Sequence, residues 1–490
     1  MGIPFYFKYL TQKYSKCMNH SNFSNHVDYF FLDCNSIIYD SVKYLQDQKE
    51  ELNDESVITQ FLFRIWEYVQ QIKPQKVLFL ALDGVCPLSK MKQQKARRYK
   101  TAANSSINDD SWNTLCITPG TPFMNKCSKS LEQAFAYKEK ELNLQQILIS
   151  TSDEVGEGEH KLFAWLRQQP LSMTPITLYV YGMDADLIML SLLHLKYVGP
   201  NGQLWVFREP PPQTQQQLQH SSFNPSKPSK QNQNRANVMT FIDIVQLGNA
   251  ICQEMKSLDI EYRNQTICEY IFLCFFLGND FLPHFPSLNI RTHGIAALIE
   301  TYHQLGRKRL ISLNGDIQWI QVKNFIHRCA LYEHDWLLQE YKIRDKMQNQ
   351  LILDPNCLEN ILDNAPILMR GEEKYINPFN SGWCGRYYEC LFKHSDSIPS
   401  ICRNYLEGLQ WVFLYYTKEC PDWNWQYRYS YPPLLTDLNK HFAVPKAMIK
   451  GVPMTTEEQQ AFILPPKGVK IELQYHWSFC RYLWEGVGET

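Results

Sequence analysis

The sequence predicts an α/β protein: a mostly parallel central sheet flanked by helices, with a largely helical second region packed against it. Three observations lead there. Short apolar, strand-like runs alternate with amphipathic, helix-like segments through the first 300 residues, the pattern that generates parallel sheets. Acidic residues stand at or just beyond the end of these runs. From about residue 300 onward, strand alternation fades and helical, aromatic-rich stretches take over. The expected division is an α/β domain over residues 1–300, with an insert at 209–235, and a helical region over 301–490 that completes its pocket.

Residues 28–40, DYFFLDCNSIIYD, read as a strand closing on Asp33, followed by a turn and a helix start. A helical pattern over residues 56–71 leads into KVLFLALDGV, a continuous apolar run typical of a strand buried on both faces, ending at Asp83 and Gly84. Residues 147–150, ILIS, end a third strand, and Glu157 and Glu159 bracket a glycine just before the amphipathic KLFAWL. The plan repeats in ITLYVYGMDADLIMLSLL, with Asp184 and Asp186 spaced like the two glutamates. Asp280 closes an apolar, helix-like run in FFLGNDFLPHFP.

In an open parallel sheet the carboxyl ends of the strands share one edge, and ligands bind there. Asp33, Asp83, Glu157, Glu159, Asp184 and Asp186 converge on that edge in this reading, and Asp280 joins from a neighbouring helix. Carboxylate oxygens suit hard cations such as Mg²⁺ or Mn²⁺, and seven acids in one place repel one another without cations. For any one acid, capping a helix or favouring its macrodipole is a sufficient explanation. Recurrence at five places along the chain favours a metal site, of one or two ions.

Beside Asp83 lies KMKQQKARRYK, residues 90–100, with six positive side chains and no negative one. On a helix, Lys90, Gln94, Arg97 and Arg98 stand at offsets of four, seven and eight and share one face, which suits a phosphate. A solvated basic helix is the plainer alternative. Residues 209–235 are rich in Pro, Gln, Asn and Ser and read as a flexible surface insert. In the aromatic stretch 408–438, Trp411 and Phe413 read as core, whereas Trp423 and Trp425 fall in a loop after Pro421 where base stacking is an option beside packing.

Composition sets bounds. The chain has 490 residues, 44% of them hydrophobic, and a formal net charge of −1, so affinity for a polyanion has to come from local patches. Its 15 cysteines include no CxxC pair, which argues against a zinc ribbon or a disulfide framework and fits a reducing compartment. The longest apolar run, YIFLCFFL, is too short to span a bilayer, and Tyr6 stands where a myristoylation signal needs Ser or Thr. An intracellular protein without membrane attachment is expected, cytoplasmic ahead of nuclear, and monomeric.

The segments MGIPFYFKYLTQKY, DCNSI, DGVCPLSKMKQQKARR, ITPGTPFM, EGEHK, GMDADLIML, LGNDFLPHFPSL and YLEGLQWVFLYYTKECPDWNW occur in order, and together they closely resemble the 5′-to-3′ exoribonuclease (Xrn) family. The resemblance implies a PIN/flap-nuclease-like core and a divalent-metal site formed by Asp33, Asp83, Glu157, Glu159, Asp184, Asp186 and Asp280. It implies a pocket for the 5′-monophosphate of single-stranded RNA at Lys90, Gln94, Arg97 and Arg98. Tyr39 stands where the family usually has a histidine that stacks on a base, and the partner ring would come from Trp423 or Trp425. The segment 483–490 resembles the end of the family's second conserved region, and the extra carboxyl-terminal domains of larger members are not expected. Two other functions share parts of this pattern: a structure-specific 5′ flap endonuclease, and a catalytically silent RNA-binding protein on the same fold.

Overall fold

The computed structural model describes residues 2–466, apart from positions 4, 20–25, 105–111, 183, 209–238, 258, 307, 352–366, 369 and 393–396. The insert expected at 209–235 and the closing segment 483–490 lie outside the described residues.

Seven strands form one sheet: β1 (Met18–Asn19), β2 (Tyr29–Asp33), β3 (Val77–Ala81), β4 (Gln146–Ser150), β5 (Thr177–Tyr181), β6 (Gln203–Arg208) and β7 (Thr240–Asp243). Their order is β1-β7-β6-β5-β2-β3-β4. The five strands from β6 to β4 run parallel, and β7 and β1 add antiparallel at one edge. The α/β class and the mostly parallel sheet are those the sequence predicts.

Alternation along the strands explains why both faces are covered. Phe31, Phe79 and Val180 point into one apolar cluster, whereas Phe30, Leu32, Leu78 and Leu80 point into another. Helices Gly158–Gln168, Ala185–Leu193, Ile244–Glu254 and Arg263–Cys274 bury their apolar sides in the first cluster. Helices Cys34–Gln48, Asp54–Ile72 and Pro122–Phe135 bury theirs in the second.

The topology places the site. From β2 the chain moves outward to β3 and β4 on one side, then crosses back to lay β5 and β6 on the other. The crevice between β2 and β5 is thus the switch point where open α/β sheets bind ligands. Register keeps its rim level, since Asp33 pairs with Ala81 and Ala81 with Ser150.

Beyond residue 300 the described structure is helical, led by Trp319–Gln350 and Ile398–Thr417. The second of these packs into the first cluster through Trp411, Phe413, Tyr415 and Tyr416, so the helical region shares a core with the sheet. Buried Glu333 accepts hydrogen bonds from the Thr436 amide at 2.8 Å and its hydroxyl at 2.7 Å, anchoring the short helix Leu435–Lys440. A last helix, Thr456–Ile463, opens with a capping box between Thr455 and Glu458 and returns to the helix Leu88–Asn104.

The rim is close-packed at Gly84, whose amide donates to the Gly156 carbonyl at 2.9 Å. A Cβ there would lie 1.7 Å from the Glu154 carbonyl oxygen, which belongs to a backbone that must then move. Gly84→Ala is therefore expected to cost about 1–3 kcal/mol of stability and to push the turn carrying Glu157 away from Asp83. Thermal unfolding checks this, and an unchanged Tm would contradict it.

Candidate metal centre

Asp33 is the last residue of β2, and Asp83 stands two residues beyond the end of β3. Glu157 and Asp184 occupy the N-cap positions of helices Gly158–Gln168 and Ala185–Leu193, which carry Glu159 and Asp186 in their first turns. Neither N-cap side chain makes a capping bond to its own helix, so helix capping does not account for these two acids. Asp33 does cap, accepting from the Asn35 amide at 3.3 Å. Asp280 comes from the turn that follows the short helix Phe275–Leu277.

The acids gather in two groups that meet at Glu157 and Glu159, whose oxygens lie within 4.8 Å of each other and of a His160 ring nitrogen. Ligand oxygens of Asp33, Asp83 and Glu159 all lie within 4.8 Å of one another. Asp83 is fixed from three directions, for its Oδ1 accepts from the Gly158 amide at 2.7 Å, its Oδ2 from Asn35 Nδ2 at 2.8 Å, and its own amide donates to Asn35 Oδ1 at 3.0 Å. Gly158 also admits Asp33, because a Cβ there would stand 3.0 Å from Asp33 Oδ1. In the second group, Glu157, Asp186 and Asp280 surround the buried ammonium of Lys90. Lys90 Nζ lies 2.6 Å from both Glu157 and Asp280 and 3.9 Å from Asp186.

Burial and neighbouring charges shift these acids one by one. Burial raises the Asp33 carboxyl well above its usual range, and Asp83 and Asp184 push it further. Burial also raises Glu159, with Glu157 and Asp33 adding to it. Around Lys90 the acids divide, for burial still raises Glu157 and Asp186 although the Lys90 ammonium pulls both down. Burial works against its charge, yet Asp280, Glu157 and Asp186 hold the ammonium well above the ordinary lysine value. Burial likewise disfavours charge on Asp280, but Lys90 and Arg97 bring it down to about 2. The donor set of Asp33, Asp83 and Glu159, all hard oxygens, fits a divalent cation.

The helical region closes this centre from above. Tyr415 donates its hydroxyl to Glu157 Oε1 at 2.8 Å, and Tyr416 donates to Asp186 Oδ1. His160 is stacked on Tyr415 with ring centroids 3.8 Å apart and meets Tyr416 edge-on. Asn35, His160, Tyr415 and Tyr416 were not singled out by the sequence reasoning. The signal available for the tyrosines was indirect: a buried phenol requires a hydrogen-bond partner.

The basic segment is the helix Leu88–Asn104. Of its four candidate phosphate ligands, Lys90 reaches into the acids, whereas the others lie further along. Arg98 donates to the Ile117 carbonyl at 2.6 Å and to the Tyr39 hydroxyl at 3.0 Å, which brings Tyr39 to this helix. Gln94 accepts from Gln459 at 3.4 Å. Arg97 keeps Nε and one terminal nitrogen shielded from solvent with no hydrogen-bond acceptor among the described residues. Arg97 is close enough to help lower Asp184 and Asp280 against the effect of burial. Trp423 gives its carbonyl to the Leu88 amide at 3.0 Å, at the head of the helix. Trp425 is stacked on Trp411 at 5.5 Å, with its outer ring edge against Gly408.

Lys90→Met should destabilise the metal-free protein by about 3–5 kcal/mol, because it leaves buried carboxylates without their cation. Added Mn²⁺ or Mg²⁺ should then raise the Tm of the variant more than that of the parent. Thermal unfolding with and without chelator checks both parts, and equal metal-free stability would contradict them.

Comparison with known proteins accounts for most of the chain. A family model described as the XRN 5′-3′ exonuclease N-terminus matches residues 1–199, and one described as the Xrn1 helical domain matches residues 260–366 and 368–477. The chain is 24% identical over 607 residues to 5′-3′ exoribonuclease 1 of Schizosaccharomyces pombe, covering 95% of this chain and 44% of that protein. It is 25% identical over 597 residues to the 5′-3′ exoribonuclease 2 homolog of Drosophila melanogaster, covering 95% of this chain and 64% of the relative. Over 366 residues it is 29% identical to 5′-3′ exoribonuclease 2 of Saccharomyces cerevisiae, with 62% of this chain and 35% of that one covered. The chain therefore spans less than two thirds of the length of each of these relatives. The two models fall in order on the sheet and on the helical region that closes over its acids, and the chain belongs to the Xrn 5′-3′ exoribonuclease family.

Proposed function

We propose that this protein is a 5′-to-3′ exoribonuclease that hydrolyses 5′-monophosphorylated RNA stepwise to nucleoside 5′-monophosphates. The observation that carries the reading is Arg97. Two of its guanidinium nitrogens are withdrawn from solvent without an acceptor among the described residues, beside a cluster of carboxylates. Buried donors of this kind require a partner, and a phosphate oxygen supplies one with the geometry a guanidinium prefers.

Arg97, Arg98 and Gln94 hold the terminal phosphate in this reading, and the phosphodiester one nucleotide inward lies over the acids. Asp33, Asp83, Glu157, Glu159, Asp184, Asp186 and Asp280 are the residues to hold Mg²⁺ or Mn²⁺, in one or two ions. When bound there, the metal supplies a water of lowered pKa and neutralises charge on the reacting phosphate. Lys90 offers its ammonium to whichever anion, carboxylate or phosphate, stands between the two sites.

Tyr39 is half-exposed and bonded to Arg98, so it is placed to stack on the first base without reading its identity. Trp423, tied to the head of the basic helix, is proposed for the opposite face, because Trp425 already spends a face on Trp411. A terminus bearing a cap or a triphosphate is too large or too charged for such a pocket.

Product analysis on RNAs differing only at the 5′ end tests the proposal. Asp184→Asn combined with Asp186→Asn should abolish divalent-dependent decay of monophosphorylated RNA while the unfolding transition persists. Arg97→Ala with Arg98→Ala should reduce the preference for monophosphate over hydroxyl ends by at least about tenfold, the worth of one charge-assisted hydrogen bond. Unchanged decay in the first variant would defeat the reading. Cleavage of a 5′-blocked, branched DNA by the parent would favour a flap endonuclease instead.

A further inference from the structure

We infer that Gln459, outside the metal centre, is a positioning residue that sets which end of the Gln94 side-chain amide faces the phosphate pocket. The inference rests on the reading of the basic helix as a 5′-phosphate site.

Helix Thr456–Ile463 lies against the basic helix. Ile463 is fully buried with Val85, Cys86 and Met91, and Lys95 Nζ sits 5.3 Å over the Phe462 ring. Gln460 Nε2 donates to the Pro119 carbonyl at 2.8 Å, pinning the far side. Between these anchors Gln459 is fully buried, an uncommon location for a glutamine. Its two amide atoms are both used. Oε1 accepts from the Cys86 backbone amide at 3.0 Å, and Nε2 donates to Gln94 Oε1 at 3.4 Å.

The polarity of this chain is fixed by chemistry. A side-chain amide can usually be turned over without changing its shape, and its orientation follows from its neighbours. Here the first neighbour is a backbone N–H, which can only donate. The Gln459 oxygen must therefore face Cys86, its nitrogen must face Gln94, and the Gln94 oxygen must face Gln459. That leaves the Gln94 NH₂ pointing away from the helix Thr456–Ile463. Arg97 is three positions further along the basic helix, on the same side. A phosphate there meets donors from both residues. Were the Gln94 amide reversed, the anion would meet a carbonyl oxygen instead. The Cys86 amide, which lies in the turn between β3 and the basic helix, thus orients a phosphate ligand through two side chains.

Gln459→Glu separates this role from simple packing. The carboxylate still accepts from Cys86 but cannot donate, so the Gln94 NH₂ turns toward it and the Gln94 oxygen toward the phosphate. With the full chain and RNAs carrying a 5′-monophosphate or a 5′-hydroxyl, KM for the monophosphate substrate should rise about tenfold. The turnover number on that substrate and KM for the hydroxyl substrate should hold. Gln459→Met, which removes both polar atoms without adding charge, should raise the monophosphate KM about threefold, because Gln94 is then free to adopt either orientation. In a Gln94→Met background both effects should vanish. An effect of Gln459→Glu that survives in that background would come from the added charge alone and would overturn the inference, as would an unchanged monophosphate KM in both single variants. Arg97→Ala is measured alongside. If it leaves 5′-end preference intact, the phosphate-pocket reading itself fails; if it removes the preference while the Gln459 variants keep it, only the role of Gln459 falls.

Discussion

Repulsion among buried carboxylates is the constraint on which the rest of this structure turns. Five points of the chain deliver acids to the carboxyl rim of one sheet, at the crevice where strand order reverses. Charges of one sign in a low-dielectric setting raise one another's pKa unless a cation answers them. Lys90 gives that answer most fully for Asp280, while burial and neighbouring carboxylates hold Asp33 and Glu159 well above the usual carboxylate range. The same hard oxygens that would take up a proton there also suit a divalent ion. Stability is thereby given up at the rim, and the apolar layers on both faces of the sheet, with the helical region fused to one of them, supply the rigidity that keeps the acids together.

The helical region is more than support. Tyr415 and Tyr416 come from the last turn of helix Ile398–Thr417 and reach two different acids. Their phenols satisfy lone pairs on Glu157 and Asp186 and so limit the directions in which those carboxylates can turn. The final described helix holds the basic helix through Gln459 and Ile463. Acids and cations therefore lie on elements whose mutual placement depends on segments more than two hundred residues away along the chain.

Much of this was legible in the sequence, for physical reasons. Continuous apolar runs such as VLFLA announce strands buried on both faces, and an acid at the end of each run needs only the parallel topology to reach a common rim. Local pattern therefore sufficed for the α/β class and for the meeting of Asp33, Asp83 and Glu159. What periodicity did not disclose was the direction of a side chain on a correctly read helix. Lys90 shares a face with Gln94 and Arg97, yet its position in the first turn, against Phe281, carries it down among the acids. Tyr415, Tyr416 and Gln459 were invisible for a related reason: their partners are 258, 230 and 365 residues distant, and no local signal reports such pairings. Asn35 was the nearest miss, since it lies two positions after Asp33, to which its amide donates, while its side chain serves Asp83.

Anomalous scattering from crystals grown with Mn²⁺ would test the central claim most directly. A metal peak is expected within coordination distance of Asp33, Asp83 and Glu159, at the rim of β2 and β3. Manganese bound only elsewhere, or these three carboxylates turned to different faces of the sheet, would contradict it.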